Sequence, residues 1–185
     1  MRRALALAAL LALAACGKPA ATPAVAATPQ RLASVQDIMA SMVDPSADSL
    51  WDSVGSTLTA KGYVDRSPKT DEDWQRVRHW AVTLTEAPNL LVMPGRRVAY
   101  PGHKLDDADV KGIEPPASIQ AAIDRDPAAF ALKAKGLQDA GRAALAAVDA
   151  RNPQALLDAG GQLDTACESC HLQYWYPHAP RPPEN

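Results

Sequence analysis

The chain has 185 residues, 19 basic against 21 acidic, giving a formal net charge of −2 and a pI near 6.1. Ala fills 37 positions (20%), while Phe, Tyr and Trp together supply nine, a composition that favours helix and argues against an all-β fold. The balance of charge excludes the basic footprint of a nucleic-acid binder, and three cysteines are too few, and odd in number, for a disulfide scaffold.

The N-terminus reads MRRALALAALLALAAC. Arg2 and Arg3 precede a twelve-residue apolar run, Ala4 to Ala15, too short to span a bilayer but suited to a cleaved secretion signal over residues 1–15. The run ends Leu13-Ala14-Ala15-Cys16, which resembles the lipobox of bacterial lipoproteins. That resemblance implies that Cys16 becomes the first mature residue and carries the lipid anchor. It places the protein on the periplasmic face of a bacterial membrane, and Gly17 leans towards the outer one. Loss of residues 1–15 removes two Arg and no acid, leaving 17 basic and 21 acidic side chains, a net charge of −4. Residues 16–30 continue as a Pro/Ala/Thr-rich tether with no apolar period, able to reach roughly 45 Å when fully extended. A folded domain over 31–180 and a short tail, 181–185, complete the expected organisation.

Within the domain, a short polar residue followed by Pro recurs as a helix-start signal at Thr28-Pro29, Asp44-Pro45, Asp126-Pro127 and Asn152-Pro153. Leu32, Val35, Met39 and Met42 fall at helical spacing after the first; Ala47, Leu50, Trp51 and Val54 do so after the second. Thr70 followed by Asp71, Glu72 and Asp73 makes an acidic first turn for a helix carrying Trp74, Val77, Ala81 and Leu84, which Pro88 is expected to stop or kink. Met93 to Pro116 is rich in Pro and Gly and reads as an irregular connection. Phe130, Ala134, Leu137, Gly141, Ala144, Leu145 and Val148 line one side of the next helix. Leu156, Leu163, Cys167, Cys170 and Tyr174 line the last, which the closing prolines end. No period-two Val/Ile/Thr run competes. The expected fold is all-α, an antiparallel four-helix bundle.

Near the end stands Cys167-Glu168-Ser169-Cys170-His171, two thiols three apart with His next, which is the attachment pattern of c-type haem. On a helix the two Cys lie on adjacent edges of one face, each placed to add to one vinyl group, and His171 lies one turn above Cys167, able to present its imidazole to iron. Three other uses of the motif fit less well. A thioredoxin-type pair belongs at a helix start in a βαβ unit, whereas Cys167 lies fourteen residues after Pro153. A structural zinc needs four ligands, with only His178 near as the fourth. A disulfide between residues three apart on a helix has poor geometry.

A haem motif at the C-terminal end of a helical bundle resembles the class II c-type cytochromes, the cytochrome c′ family and its low-spin relatives. The likeness covers about residues 30–180 and is specific in Cys167–His171, in Tyr174 and in the first helix. It implies one covalent haem c held between helices, His171 as an axial ligand, and in many members a homodimer. The sixth ligand comes from the first helix: Met there suits electron transfer, and an apolar residue leaves iron open to nitric oxide or carbon monoxide. Met39 is the first candidate, Met42 the second, with both as plain core filler the third alternative. One departure is Trp175, standing where many cytochromes c′ have a basic residue four after the axial His, so proximal gas chemistry is not carried over. Trp175 and Tyr176 are expected to seal the bundle end or cover the haem edge; Trp51, Trp74 and Trp80 are expected in the core or haem wall. Arg76, Arg78, Arg96 and Arg97 are the available partners for haem propionates. His79 and His103 are ordinary. The expected role is electron carrier between redox protein partners, with no catalysis of its own, no nucleic-acid partner and membrane contact through the lipid. The alternatives are a gas-binding haem protein and a subunit of a larger respiratory assembly.

Overall fold

The computed structural model describes residues 28–179. The signal at 1–15, Cys16, most of the tether and the 181–185 tail lie outside the described residues. The described chain is mostly helical, with one small two-stranded sheet. Helix α1 (Val35–Ile38) passes through a π-helical turn, Met39–Val43, straight into α2 (Asp44–Ser53). A hairpin of β1 (Gly55–Thr59) and β2 (Gly62–Arg66) follows, then α3 (Asp71–Leu91), an irregular segment, α4 (Pro116–Arg125), α5 (Pro127–Asp149) and α6 (Pro153–Tyr174).

Several starts follow their predicted caps. The Thr70 hydroxyl accepts from Asp73 N–H while the Asp73 carboxylate accepts from Thr70 N–H, satisfying two donors that a helix start leaves without intrahelical partners. Asp126 and Asn152 accept from Ala129 N–H and Ala155 N–H at 2.9 and 3.0 Å, with Pro as the next residue in each case. Trp74, Val77, Ala81 and Leu84 all turn inward, and Leu84 and Ala81 are wholly buried.

Five expectations are corrected. Thr28-Pro29 starts no helix. Ser34 does, in a reciprocal cap with Asp37, and this leaves Leu32 79% exposed. Asp44-Pro45 is a continuation, because the preceding turn is already helical and supplies the carbonyls on which the next turn builds. Of the two outcomes expected at Pro88, the stop does not occur: the helix runs on to Leu91, where a proline one turn from the end forfeits only one ladder bond. A short helix, α4, stands on Ile119 and Ile123, four apart and both buried. The hairpin contradicts the expectation of no strands. Thr57, Thr59, Tyr63 and Val64 suit extended backbone, Gly55 and Gly62 take positive φ at its ends, and the two-residue loop Ala60-Lys61 sets the register Thr59↔Gly62. Both strands are solvent-exposed, so no apolar alternation announces them.

Cross-helix contacts fix the relative directions. Asp71, opening α3, pairs with Arg151 just past α5, and Gln138 of α5 donates to the Thr85 carbonyl. Lys133 and Phe130 of α5 meet Ser169 and Tyr174 of α6, and the Trp51 indole of α2 donates to the Gly160 carbonyl of α6. Each of these neighbours therefore runs against the other. At Gly141 the α3–α5 contact leaves no room for a side chain, since a Cβ would fall 3.1 Å from the Thr85 backbone. The start of α1 and the ends of α3 and α6 thus share one end of the molecule with the start of α5; the hairpin marks the opposite end.

Residues 92–115 carry no helix or strand, yet they stitch the first end together. Val35 N–H donates to the Arg97 carbonyl and Gln36 N–H to that of Val98, satisfying donors at the α1 start. Arg96, 6% exposed, donates to the carbonyls of Leu90 and Ala33, and Glu114 N–H donates to the Trp175 carbonyl at 2.8 Å. Val98 and Leu105 anchor the segment in the core.

Candidate functional site

Four of the predicted residues come together. Met39, Cys167, Cys170 and His171 line one largely apolar, closely packed cavity of about 30 Å³, walled by side chains that include Val35, Leu91, Phe130, Leu137 and Trp175. Local structure accounts for each placement. On α6, Cys167, Cys170 and His171 sit at three- and four-residue spacing and share a face. On the first rod, the π turn closes with Asp44 N–H on the Met39 carbonyl, an i→i−5 bond that inserts one extra residue. Val35, Met39 and Val43, four apart, line the cavity together with Asp44 at the end of the π turn, while Met42 packs on the core without lining it.

The electrostatics follow from burial. The thiols of Cys167 and Cys170 are each pushed up to about 11, chiefly by desolvation; Asp44 adds to the effect at Cys167, and Lys133 opposes it at Cys170. Both are therefore protonated at neutral pH, the reverse of the depressed pKa that marks an exchange-active Cys-x-x-Cys pair. Burial also lowers the His171 pKa below its ordinary value, against the pull of Asp44, Glu168 and Asp107, so the ring is a neutral imidazole at pH 7. A neutral imidazole has a free nitrogen lone pair for a metal. The Met39 thioether offers a soft sulfur across the same space.

Around this centre, Trp175 is 9% exposed and its ring lies tilted against that of His171, centroids 5.9 Å apart, while its backbone N–H donates to the His171 carbonyl. The Tyr176 hydroxyl donates to Glu168 at 2.6 Å and its ring meets His171 edge-on. Trp175 thus forms part of the wall itself. A second opening, lined by Gln36, Ala40, Leu105, Asp106 and Asp107, shares Met39, Asp44, His171 and Trp175 with the first and leads outward.

Other candidates fall elsewhere. Arg76 and Arg78 pair with Asp73 and Asp149 towards the hairpin end, Arg96 is committed to carbonyls, and Arg97 lines a separate surface groove, so none of the four lines the cavity. The cation in its wall is Lys133, whose ammonium donates to Ser169 at 2.6 Å. Its sequence signal was its place between Phe130, Ala134 and Leu137, on the flank of the apolar stripe. Asp44 was equally hidden, because only the π turn brings it round. His79 packs edge-on against Trp80 and His103 against Tyr100, both outside the cavity. Trp74 is core, Trp51 caps Gly160, and Trp80 lines a polar cleft near the hairpin. His178 lies 3.8 Å from Glu114, and among the described residues no three His, Cys, Asp or Glu side chains form a metal-holding group. Among the described residues no helix is long and apolar enough to cross a membrane. No family model, curated protein or solved structure matches the chain.

Proposed function

We propose that the chain is a lipid-anchored, periplasm-facing monohaem c-type cytochrome that passes single electrons between redox protein partners. The observation that carries this reading is the convergence of Met39, Cys167, Cys170 and His171 on one apolar cavity. The antiparallel neighbours among the α1–α2 rod, α3, α5 and α6 support its finer architecture, an antiparallel four-helix bundle resembling the class II c-type cytochromes. The donor set fits a haem c: two protonated thiols at vinyl-spanning separation in sequence, one neutral imidazole, one thioether, and an apolar wall.

Haem, when bound, supplies a one-electron couple. The chain's part is to hold it. Cys167 and Cys170 would hold it through their sulfurs, His171 and Met39 would offer its iron an imidazole nitrogen and a thioether sulfur, and Trp175 with Phe130 would keep water from the wall. Thioether ligation favours reduced iron relative to a second His. Cys16, outside the described residues, carries the lipid in this reading. The chain is in this account an electron carrier rather than an enzyme.

The optical spectrum of purified holoprotein, with and without carbon monoxide, tests the reading. A low-spin ferrous spectrum unmoved by the gas is expected, and Met39→Ala converts it to one that binds the gas at once. A wild-type ferrous form that binds carbon monoxide immediately removes Met39 as ligand and makes the site a gas-binding one; conversion only by Met42→Ala moves the ligand to Met42.

A further inference from the structure

We propose that the β1–β2 hairpin is a membrane-contact element that rests on an anionic lipid surface and holds the cavity end of the molecule away from it. The hairpin carries three large apolar side chains in solvent: Leu58 is 67% exposed, Tyr63 77% and Val64 51%. Leu58 and Tyr63 are direct cross-strand partners and share one face, while Val64 lies opposite Thr57 on the other. A two-stranded sheet with both faces wet is marginal by itself, and nothing in its burial pattern explains why its exposed positions should be apolar. A headgroup layer explains them, since it takes Tyr rings and aliphatic side chains at the boundary between water and hydrocarbon.

Charge identifies the surface. The hairpin, residues 55–66, carries Lys61 and Arg66 against a single acid, Asp65, in a chain whose overall formal charge is −2; Arg66 and Asp65 also line the cleft that holds Asp52 and Asp73, which leaves Lys61 as the cation at the tip. Lys61 occupies the turn between the strands, at the leading edge of the projection. A basic, apolar-tipped finger on an acidic protein complements anionic phospholipid and repels the protein's own surface. The outward opening at the cavity end is lined instead by Asp44, Asp106 and Asp107.

Dimensions allow the contact. The rod from Val35 to Ser53 has 19 residues and spans about 28 Å at helical rise, so the hairpin lies that far from the point where the chain enters the fold. The tether preceding that point reaches roughly 45 Å. The proposal rests on the lipid-anchor reading in this respect alone, for the nearness of the bilayer. Hairpin-down contact would leave the cavity end facing soluble partners.

Trypsin digestion of the full haem-loaded chain on vesicles tests this, comparing cleavage after Lys61 with cleavage after Lys111, an exposed residue of the 92–115 segment that serves as internal standard. On phosphatidylglycerol vesicles the Lys61/Lys111 cleavage ratio should fall about tenfold or more relative to phosphatidylcholine vesicles. Leu58→Asp with Tyr63→Asp should restore it, with unchanged circular dichroism because both sites are exposed. An unchanged ratio on the two vesicle types, or protection that survives the double variant, overturns the proposal. The mass of the Cys16 peptide from the same sample reports acylation separately: protection at Lys61 sustains the hairpin contact with or without acylation, and its absence overturns the contact in either case.

Discussion

The two ends of this molecule are built on opposite principles. At one end four helix termini and a long irregular segment close on an apolar cavity, and buried groups there are shifted by desolvation: two thiols upward, one imidazole downward. At the other end a hairpin stands in solvent with its apolar side chains outward, beside a cleft lined by Asp52, Asp65, Asp73, Arg66, Lys69 and Arg76. The difference shows where structure is made by burial and where it is made by local backbone chemistry. The cavity end depends on distant parts of the chain meeting; the hairpin depends on two glycines and a two-residue loop.

The largest effect that separates the ends is covalent. Cys167→Ala with Cys170→Ala should abolish haem that survives denaturing electrophoresis, whereas replacing residues 55–66 by a short loop should leave the haem-stained band intact. Next comes stability. Leu163→Ala, at a site 1% exposed, should lower unfolding free energy by about 2–5 kcal/mol in denaturant titration, while Leu58→Ala should change it by no more than about 0.5 kcal/mol.

A third contrast is chemical. In the haem-free chain at pH 8, a thiol pKa of about 11 leaves Cys167 and Cys170 roughly a hundredfold less thiolate than the unfolded chain, so alkylation by iodoacetamide should slow by that order on folding. The sign for stability follows: unfolded thiols ionise near their model value of 9.0 while the folded ones hold their protons. The folded haem-free state therefore loses stability as pH rises above about 9. Cys167→Ser with Cys170→Ser should flatten that loss. A smaller effect concerns the α5 cap, where Asp126→Ala should cost about 1 kcal/mol. The smallest is a gain. Arg151 sits at φ 50° in the turn after α5, where Asn152 N–H reaches the Ala147 carbonyl, so Arg151→Gly should stabilise by a few tenths to about 1 kcal/mol despite losing its exposed pair with Asp71.

The same contrast explains what was legible in the sequence. The buried stripe of α3, the Asp126 and Asn152 caps and the face shared by Cys167, Cys170 and His171 all follow from helical period and capping chemistry. The π turn does not. One wide turn at Met39–Val43 separates Met39 from Met42 and swings Asp44 towards His171, and nothing in the residue types MASMV demands it. Lys133 carries no signal of its own in the sequence, since its place comes from Ser169 across the helix interface, and helical period alone does not tell that Arg76 and Arg78 stand at the other end of α3. The hairpin escaped because its apolar residues do not alternate between core and solvent; they have no core to face.

The central claim is that Cys167 and Cys170 hold one haem covalently. Its most direct test is the intact mass of the chain purified from its native compartment and unfolded in acid, followed by mapping of the peptide that contains Cys167–His171. A mass increase of one haem on that peptide is the predicted result. An unmodified peptide, or a zinc ion or disulfide there instead, would contradict the account.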